Sequence, residues 1–192
     1  TIPVARGGFD FTLRQPMGAV AAIVPWNFPF PLACWKVAPA LAAGNCVVLK
    51  PAGQSPLSAL MLGKVVSGTQ LPAGALQVLP GSGSEAGDAH VQHPLVRKIS
   101  FTGSTEVGKR IMELAARDLK RVSLELGGKS PNIVFADADL EQAASSSPMS
   151  VFANCGQDCC ARSRIFVERT VFERFVERFV SATKQLIVAE PQ

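Results

Sequence analysis

Charged residues are scarce in this chain. They make up 18% of its 192 residues, and the net surplus of +4 is scattered rather than gathered in blocks. A nucleic-acid surface shows itself as a basic cluster or stripe, so charge gives no support for one. Long apolar runs are also missing. The longest apolar region, Pro31 to Leu49, is broken by Lys36, Pro39 and Asn45. A membrane-crossing helix needs about 20 consecutive apolar residues, so no membrane span is expected. No signal peptide is visible. Cysteines number five, an odd count, and Cys159 and Cys160 are adjacent. That arrangement argues against a disulfide framework and for a reducing, cytoplasmic compartment. No internal repeat is evident.

Apolar residues are plentiful. At 47% hydrophobic content the chain can bury a sizeable core, and its length suits one domain or one domain with part of another. The sequence starts at Thr1 rather than Met and stops at Gln192, just past a helical pattern. An internal fragment of a longer chain is therefore expected.

Short apolar runs alternate with helical patterns. Strands are predicted at Gly18 to Val24, Cys46 to Leu49, Leu76 to Leu79 and Lys98 to Phe101. Helices are predicted at Leu32 to Ala43, Ser55 to Ser67 with Ser55 as N-cap, Ser84 to Val91, and Ser104 to Arg117. After Leu124 the texture changes. A strand at Ile133 to Phe135, a helix at Asp139 to Asn154, a strand at Arg164 to Val167 and a helix at Thr170 to Val188 follow. The cluster Ser145-Ser146-Ser147-Pro148 weakens the first of these helices. The alternation predicts an α/β fold with a doubly wound parallel sheet, followed by the first part of a second α/β domain. Ligands on such a sheet sit at the carboxyl ends of the strands, where Pro25-Trp26-Asn27, Pro51-Ala52 and Thr102-Gly103 lie.

Two glycine-rich stretches invite over-reading. Gly103 to Arg110 nearly matches the phosphate loop of nucleotide hydrolases, but Arg110 stands where a hydroxyl must bind magnesium. The helix start at Gly103-Ser104 still offers free N–H groups to an anion. A diphosphate that demands no metal fits better than a hydrolysed triphosphate. Gly81-Ser82-Gly83-Ser84-Glu85-Ala86-Gly87 resembles the dinucleotide fingerprint, with its third glycine one residue too far along.

Three segments carry chemistry together: Pro25-Trp26-Asn27-Phe28-Pro29, Leu124 to Lys129, and Asn154 to Arg162 with its thiols. Amide, carboxylate and thiol are the oxyanion donor, base and nucleophile that acyl-level chemistry needs. With Ala38 to Asn45, Lys50-Pro51-Ala52, Phe101 to Thr105, Glu125 to Pro131 and Gly156-Gln157-Asp158-Cys159, they resemble the aldehyde dehydrogenase superfamily from Gln15 to Pro191.

The resemblance implies a hydrolytic, NAD- or NADP-dependent oxidation of a small aldehyde. It implies Cys159 as nucleophile, Asn27 as oxyanion donor and Glu125 as general base. Lys50 matches a ribose contact, Gly103 and Ser104 the diphosphate turn, Trp26 a position beside the coenzyme, Gly83 and Gly87 small positions near the adenine, and Leu126 a further coenzyme contact. Taken alone, Lys50 reads as a strand-end charge and Trp26 as a core aromatic. The domains implied are part of an oligomerisation arm at 1–15, a dinucleotide-binding domain at 16–126 and a truncated catalytic domain at 127–192, in a homo-oligomeric parent. Gly53 departs from the pattern. Many NAD-preferring members carry Glu there, so NAD versus NADP stays open.

Cys155 and Cys160 read as small core residues. No metal site is expected, because their spacing matches no usual zinc pattern and no His lies nearby. A CoA-acylating relative, a coenzyme-binding fragment without turnover and, more remotely, a P-loop nucleotidase are the rival readings.

Overall fold

The computed structural model describes Gly8 and residues 10–189. Most of the expected oligomerisation arm's first half, residues 1–7 and 9, lies outside the described residues, as does Pro191. The chain divides into two compact units, Thr1–Glu125 and Leu126–Gln192.

The first unit is built on β1 (Ala19–Ile23). Val20, Ala21, Ala22 and Ile23 are all buried. Cover on both faces is what allows a parallel strand to be apolar without alternation. β2 (Cys46–Lys50) runs parallel to β1, with Ile23 opposite Lys50. β4 (Val96–Gly103) runs parallel on the other side, with Ile23 opposite Phe101. β3 (Leu76–Val78) pairs with β2, also in parallel, and β5 (Arg121–Leu126) closes the far edge. The order is β3-β2-β1-β4-β5, the doubly wound arrangement expected. Strand order reverses between β1 and β4, and such sheets bind ligands outside the carboxyl ends at that point.

The connections are α1 (Pro29–Ala42), α2 (Leu57–Ser67), α3 (Asp88–Gln92) and α4 (Thr105–Ala116). Ala22, Leu32, Ala33, Val37, Val47 and Leu49 form the centre of one core under α1. Each fully buried Leu or Val contributes roughly 1.5–3 kcal/mol. Asn45 locks α1 to the sheet. Its Nδ2 donates to Ala40 O at 3.0 Å, and its Oδ1 accepts from Met17 N at 2.6 Å and Gly18 N at 3.1 Å. Gly44, at φ +78°, makes the left-handed step that ends the helix.

The second unit pairs β6 (Pro131–Val134) with β7 (Arg164–Val167) in parallel. α5 (Leu140–Ser146) and α7 (Phe172–Lys184) supply Leu140, Ala144 and Phe175 to a core with Val134 and Val171. The Phe175 and Phe179 rings stack at 6.0 Å. Asp139 caps α5, its Oδ1 accepting from Glu141 N and Gln142 N at 3.1 Å.

Several elements differ from expectation. Ser55 does not cap α2. The helix begins at Leu57 with Pro56 at the cap position, and Ser55 Oγ instead donates to Trp26 O at 3.3 Å. The third helical pattern resolves into a π-helical turn, Gly83–Gly87, capped by Ser82, and then α3. The long helix predicted at 139–154 is broken. α5 ends at Ser146, Pro148 lacks the N–H to continue it, and α6 (Met149–Phe152) restarts one short turn. Ser146 and Ser147 donate back to Gln142 O at 2.8 Å and Ala143 O at 2.6 Å, which competes with regular helical bonding. α7 stops at Lys184, short of Val188. Among the described residues no helix is long and apolar enough to cross a membrane.

Candidate functional site

A groove of about 590 Å³ opens at the carboxyl ends of β1, β2 and β4. It brings together six of the residues singled out in the sequence: Trp26, Lys50, Gly83, Gly87, Gly103 and Ser104. Gly53 lines it as well, whereas Asn27 and Glu125 do not.

The glycines of the groove differ in what a side chain would meet. A Cβ on Gly103 would stand 2.4 Å from Cζ of Phe101, whose ring is buried. A Cβ on Gly87 would rest on the Lys50 stem, 3.8 Å from both Cδ and Cε. At Gly53 and Gly83 a Cβ would meet nothing within 4 Å, so the space belongs to the groove. Lys50 is only 6% exposed, and its Nζ donates to Pro51 O at 3.1 Å. Burial pushes its pKa below the ordinary lysine range. Trp26 is 46% exposed at the groove's edge. Ser104 caps α4, its Oγ accepting from Val107 N at 3.3 Å. The N–H groups of Thr105 and Glu106 belong to that first turn, where a helix offers no carbonyl partner and an anion is favoured.

Sequence reasoning missed three features here. Thr102 Oγ1 is buried without a hydrogen-bond partner among the described residues, and Thr102 lines the groove. An orphaned hydroxyl beside a cap that can take an anion fits a polar, phosphate-bearing ligand such as a dinucleotide. Arg110, which fails the phosphate-loop pattern, makes a two-pronged ion pair with Asp88, 22 residues earlier. That pair lowers the Asp88 pKa, chiefly through the Arg110 hydrogen bond. The third feature is Lys36, on α1. Its Nζ donates to Ser100 Oγ at 3.2 Å. Its pKa falls to about 8, with burial as the main cause, Glu125 opposing and Lys98 assisting. In the sequence Lys36 registered only as a break in an apolar run.

Asn27 is half-buried in the loop between β1 and α1. Glu125 is exposed near the end of β5, and Leu126, half-buried, is that strand's last residue.

The thiols belong to the second unit. After α6 the chain passes through Asn154, Cys155 and Gly156 at φ +51°, +56° and +73°. It then reaches the turn with Cys159. Cys159 is half-buried and Cys160 exposed, with their sulfurs 3.7 Å apart. Asp158 Oδ1 accepts from Cys160 N at 2.9 Å. Burial raises the Cys159 pKa above the ordinary thiol value, and the Cys160 hydrogen bond and the Asp158 charge add to it. Gly128 passes close by, where a Cβ would lie 3.7 Å from Cys159 O.

The profile of the aldehyde dehydrogenase family matches residues 1–192. The chain belongs to the aldehyde dehydrogenase family. Human (Homo sapiens) retinal dehydrogenase 2 is 53% identical over 192 residues, which are 100% of this chain and 37% of that protein. Among solved structures, an NADP-dependent enzyme from E. coli superposes with a TM-score of 0.87 at 49% identity, covering 90% of this chain and 36% of the other. An indole-3-acetaldehyde dehydrogenase complexed with NAD+ gives a TM-score of 0.87 at 49% identity, covering 90% and 35%. The chain thus spans little more than a third of the length of these relatives.

Proposed function

We propose that this chain carries the coenzyme-binding and nucleophile-bearing parts of an enzyme that oxidises an aldehyde to a carboxylic acid with NAD+ or NADP+. The observation that carries the reading is the groove at the strand-order reversal, with Lys50, the Ser104 cap and the orphaned Thr102 hydroxyl on its walls. Relatives crystallised with NAD+ or described as NADP-dependent support the coenzyme class.

In this reading Lys50 holds a ribose hydroxyl and the α4 N-terminus holds the diphosphate. When bound, the nicotinamide supplies the hydride acceptor. The Cys159 thiolate adds to the aldehyde carbon, forming a C–S bond and a thiohemiacetal oxyanion. The Asn27 amide and the Cys159 N–H donate to that oxygen. Loss of hydride leaves a thioester on Cys159. Glu125 takes a proton from water, the hydroxide displaces the thiolate, and the acid leaves. Aldehyde, water and NAD(P)+ are consumed, and acid, NAD(P)H and a proton are produced.

We further place the domain boundary of the parent enzyme at residues 126/127. Residues 1–15 belong to its oligomerisation arm, and the parent is a homo-oligomer. The five free cysteines suit a cytoplasmic, reducing setting.

Equilibrium titration with NAD+ and NADP+ tests the coenzyme half. Saturable binding is expected, and Gly53→Glu, whose Cβ would meet nothing within 4 Å, should weaken NADP+ far more than NAD+. No binding of either coenzyme would overturn the reading. Mass spectrometry after incubation with NAD+ and a simple aldehyde tests the thiol half, with acylation expected at Cys159 and absent in Cys159→Ala. In the full-length parent, Asn27→Ala should cost about 10²–10³ in rate.

A further inference from the structure

Asp158, Cys159 and Cys160 present their side-chain ligand atoms within 4.8 Å of one another. Two metal–sulfur bonds of about 2.3 Å at a tetrahedral angle set their sulfurs about 3.75 Å apart. The Cys159 and Cys160 sulfurs already stand at 3.7 Å. We propose that these three side chains form a chelate for one thiophilic divalent cation of the zinc class, closed by solvent at the fourth position.

Two further points favour this occupant. Soft thiolates select zinc and cadmium over magnesium or calcium, and one hard carboxylate beside them is compatible with zinc. Cys160 is exposed and Cys159 half-buried, so an ion reaches both from solvent.

The obvious competitor for two adjacent thiols is a disulfide. Consecutive Cα atoms stand about 3.8 Å apart, short of the roughly 4.4–6.8 Å that disulfides span, so joining them strains the turn. A chelate needs no such closure. The sequence hid the site because adjacent cysteines match no zinc spacing, and the bite is set by side-chain directions in a turn.

Binding exchanges protons for metal. Each thiol that ligates surrenders its proton to solvent as the sulfur–metal bond forms, and nothing is oxidised. The metal then occupies the Cys159 lone pair. If Cys159 is the nucleophile proposed above, the ion acts as a reversible block. Metal binding itself does not depend on that reading.

The test uses the reduced full chain and neither coenzyme nor aldehyde. Titration with Cd2+ should develop thiolate-to-cadmium absorption that saturates at one equivalent. Iodoacetamide labelling, mapped by mass spectrometry, should slow at Cys159 by about tenfold or more when Zn2+ is present. Cys160→Ser should remove both effects and Cys155→Ser neither. Asp158→Asn, nearly the same size, should weaken both, which keeps the test alive if Cys160→Ser fails to fold by circular dichroism. Unchanged absorption and protection in Cys160→Ser or Asp158→Asn would overturn the site. So would a mass showing that protected chains had lost two hydrogens, because the protection would then be a disulfide.

Discussion

Cys155 holds φ +56°, between Asn154 at +51° and Gly156 at +73°. Three left-handed residues in a row turn the chain from α6 towards Cys159. Asn and Gly adopt that conformation readily, whereas a Cys Cβ meets the following carbonyl at a cost of about 1–2 kcal/mol. Cys155→Gly should therefore raise stability by about 1 kcal/mol, part of the relief being offset by a freer unfolded chain. A urea unfolding midpoint reads this directly, and an unchanged midpoint would show that residue 155 carries no such strain. Gly103 is the opposite case. Its missing side chain is the space that the buried Phe101 ring fills, so Gly103→Ala should cost roughly 1–3 kcal/mol as the ring is displaced. The same ring borders the groove, so weaker coenzyme binding should accompany the lower melting temperature.

At the scale of elements, α1 carries a charge that titrates near neutrality. Lys36 is driven down from 10.5 to about 8, mainly by burial. Below about pH 8 folding must bury a charged amine. Between pH 8 and 10.5 the unfolded chain binds a proton that the folded chain has released. Stability therefore rises with pH across that window. Lys36→Met should abolish the rise, so that wild type gains on the variant between pH 8 and 10.5, as measured by denaturant midpoints at each pH. Glu125→Gln removes the contribution that raises this pKa, and Lys36 should then titrate lower still. Nothing in the sequence separates Lys36 from any other helical lysine, because its shift depends on what covers α1. The same limit explains other omissions. β7 was legible to the residue, since Arg164 to Val167 is an apolar run between turns. β5 was not, because Arg121, Ser123 and Glu125 alternate with half-buried residues on an edge strand and dilute the apolar signal. The break at Pro148 was signalled by its serines, but the left-handed path after Phe152 was not. Motif resemblance named the groove residues, whereas the Thr102 hydroxyl and the Asp88–Arg110 pair became visible only once the strands were laid side by side.

At the scale of the molecule, each unit has its own core, and the two cores are built differently. The first surrounds a five-stranded sheet, and the second rests on a two-stranded one with α5 and α7 on a face. Two strands with one packed face give a marginal domain, so the second unit should open at lower free energy than the first. The candidate coenzyme groove is lined by residues of the first unit alone. A ligand stabilises what it binds by RT ln(1 + [L]/Kd), about 2.7 kcal/mol at a hundred times Kd. Saturating NAD+ or NADP+ should therefore slow amide hydrogen exchange in β1, β2 and β4 and leave β6, β7 and α7 nearly unchanged. Equal protection in both units would mean that they unfold as one, and that the thiol turn is stabilised through the coenzyme groove. Protection confined to the second unit would place the ligand away from Lys50 and Ser104, and with it the coenzyme reading would fail.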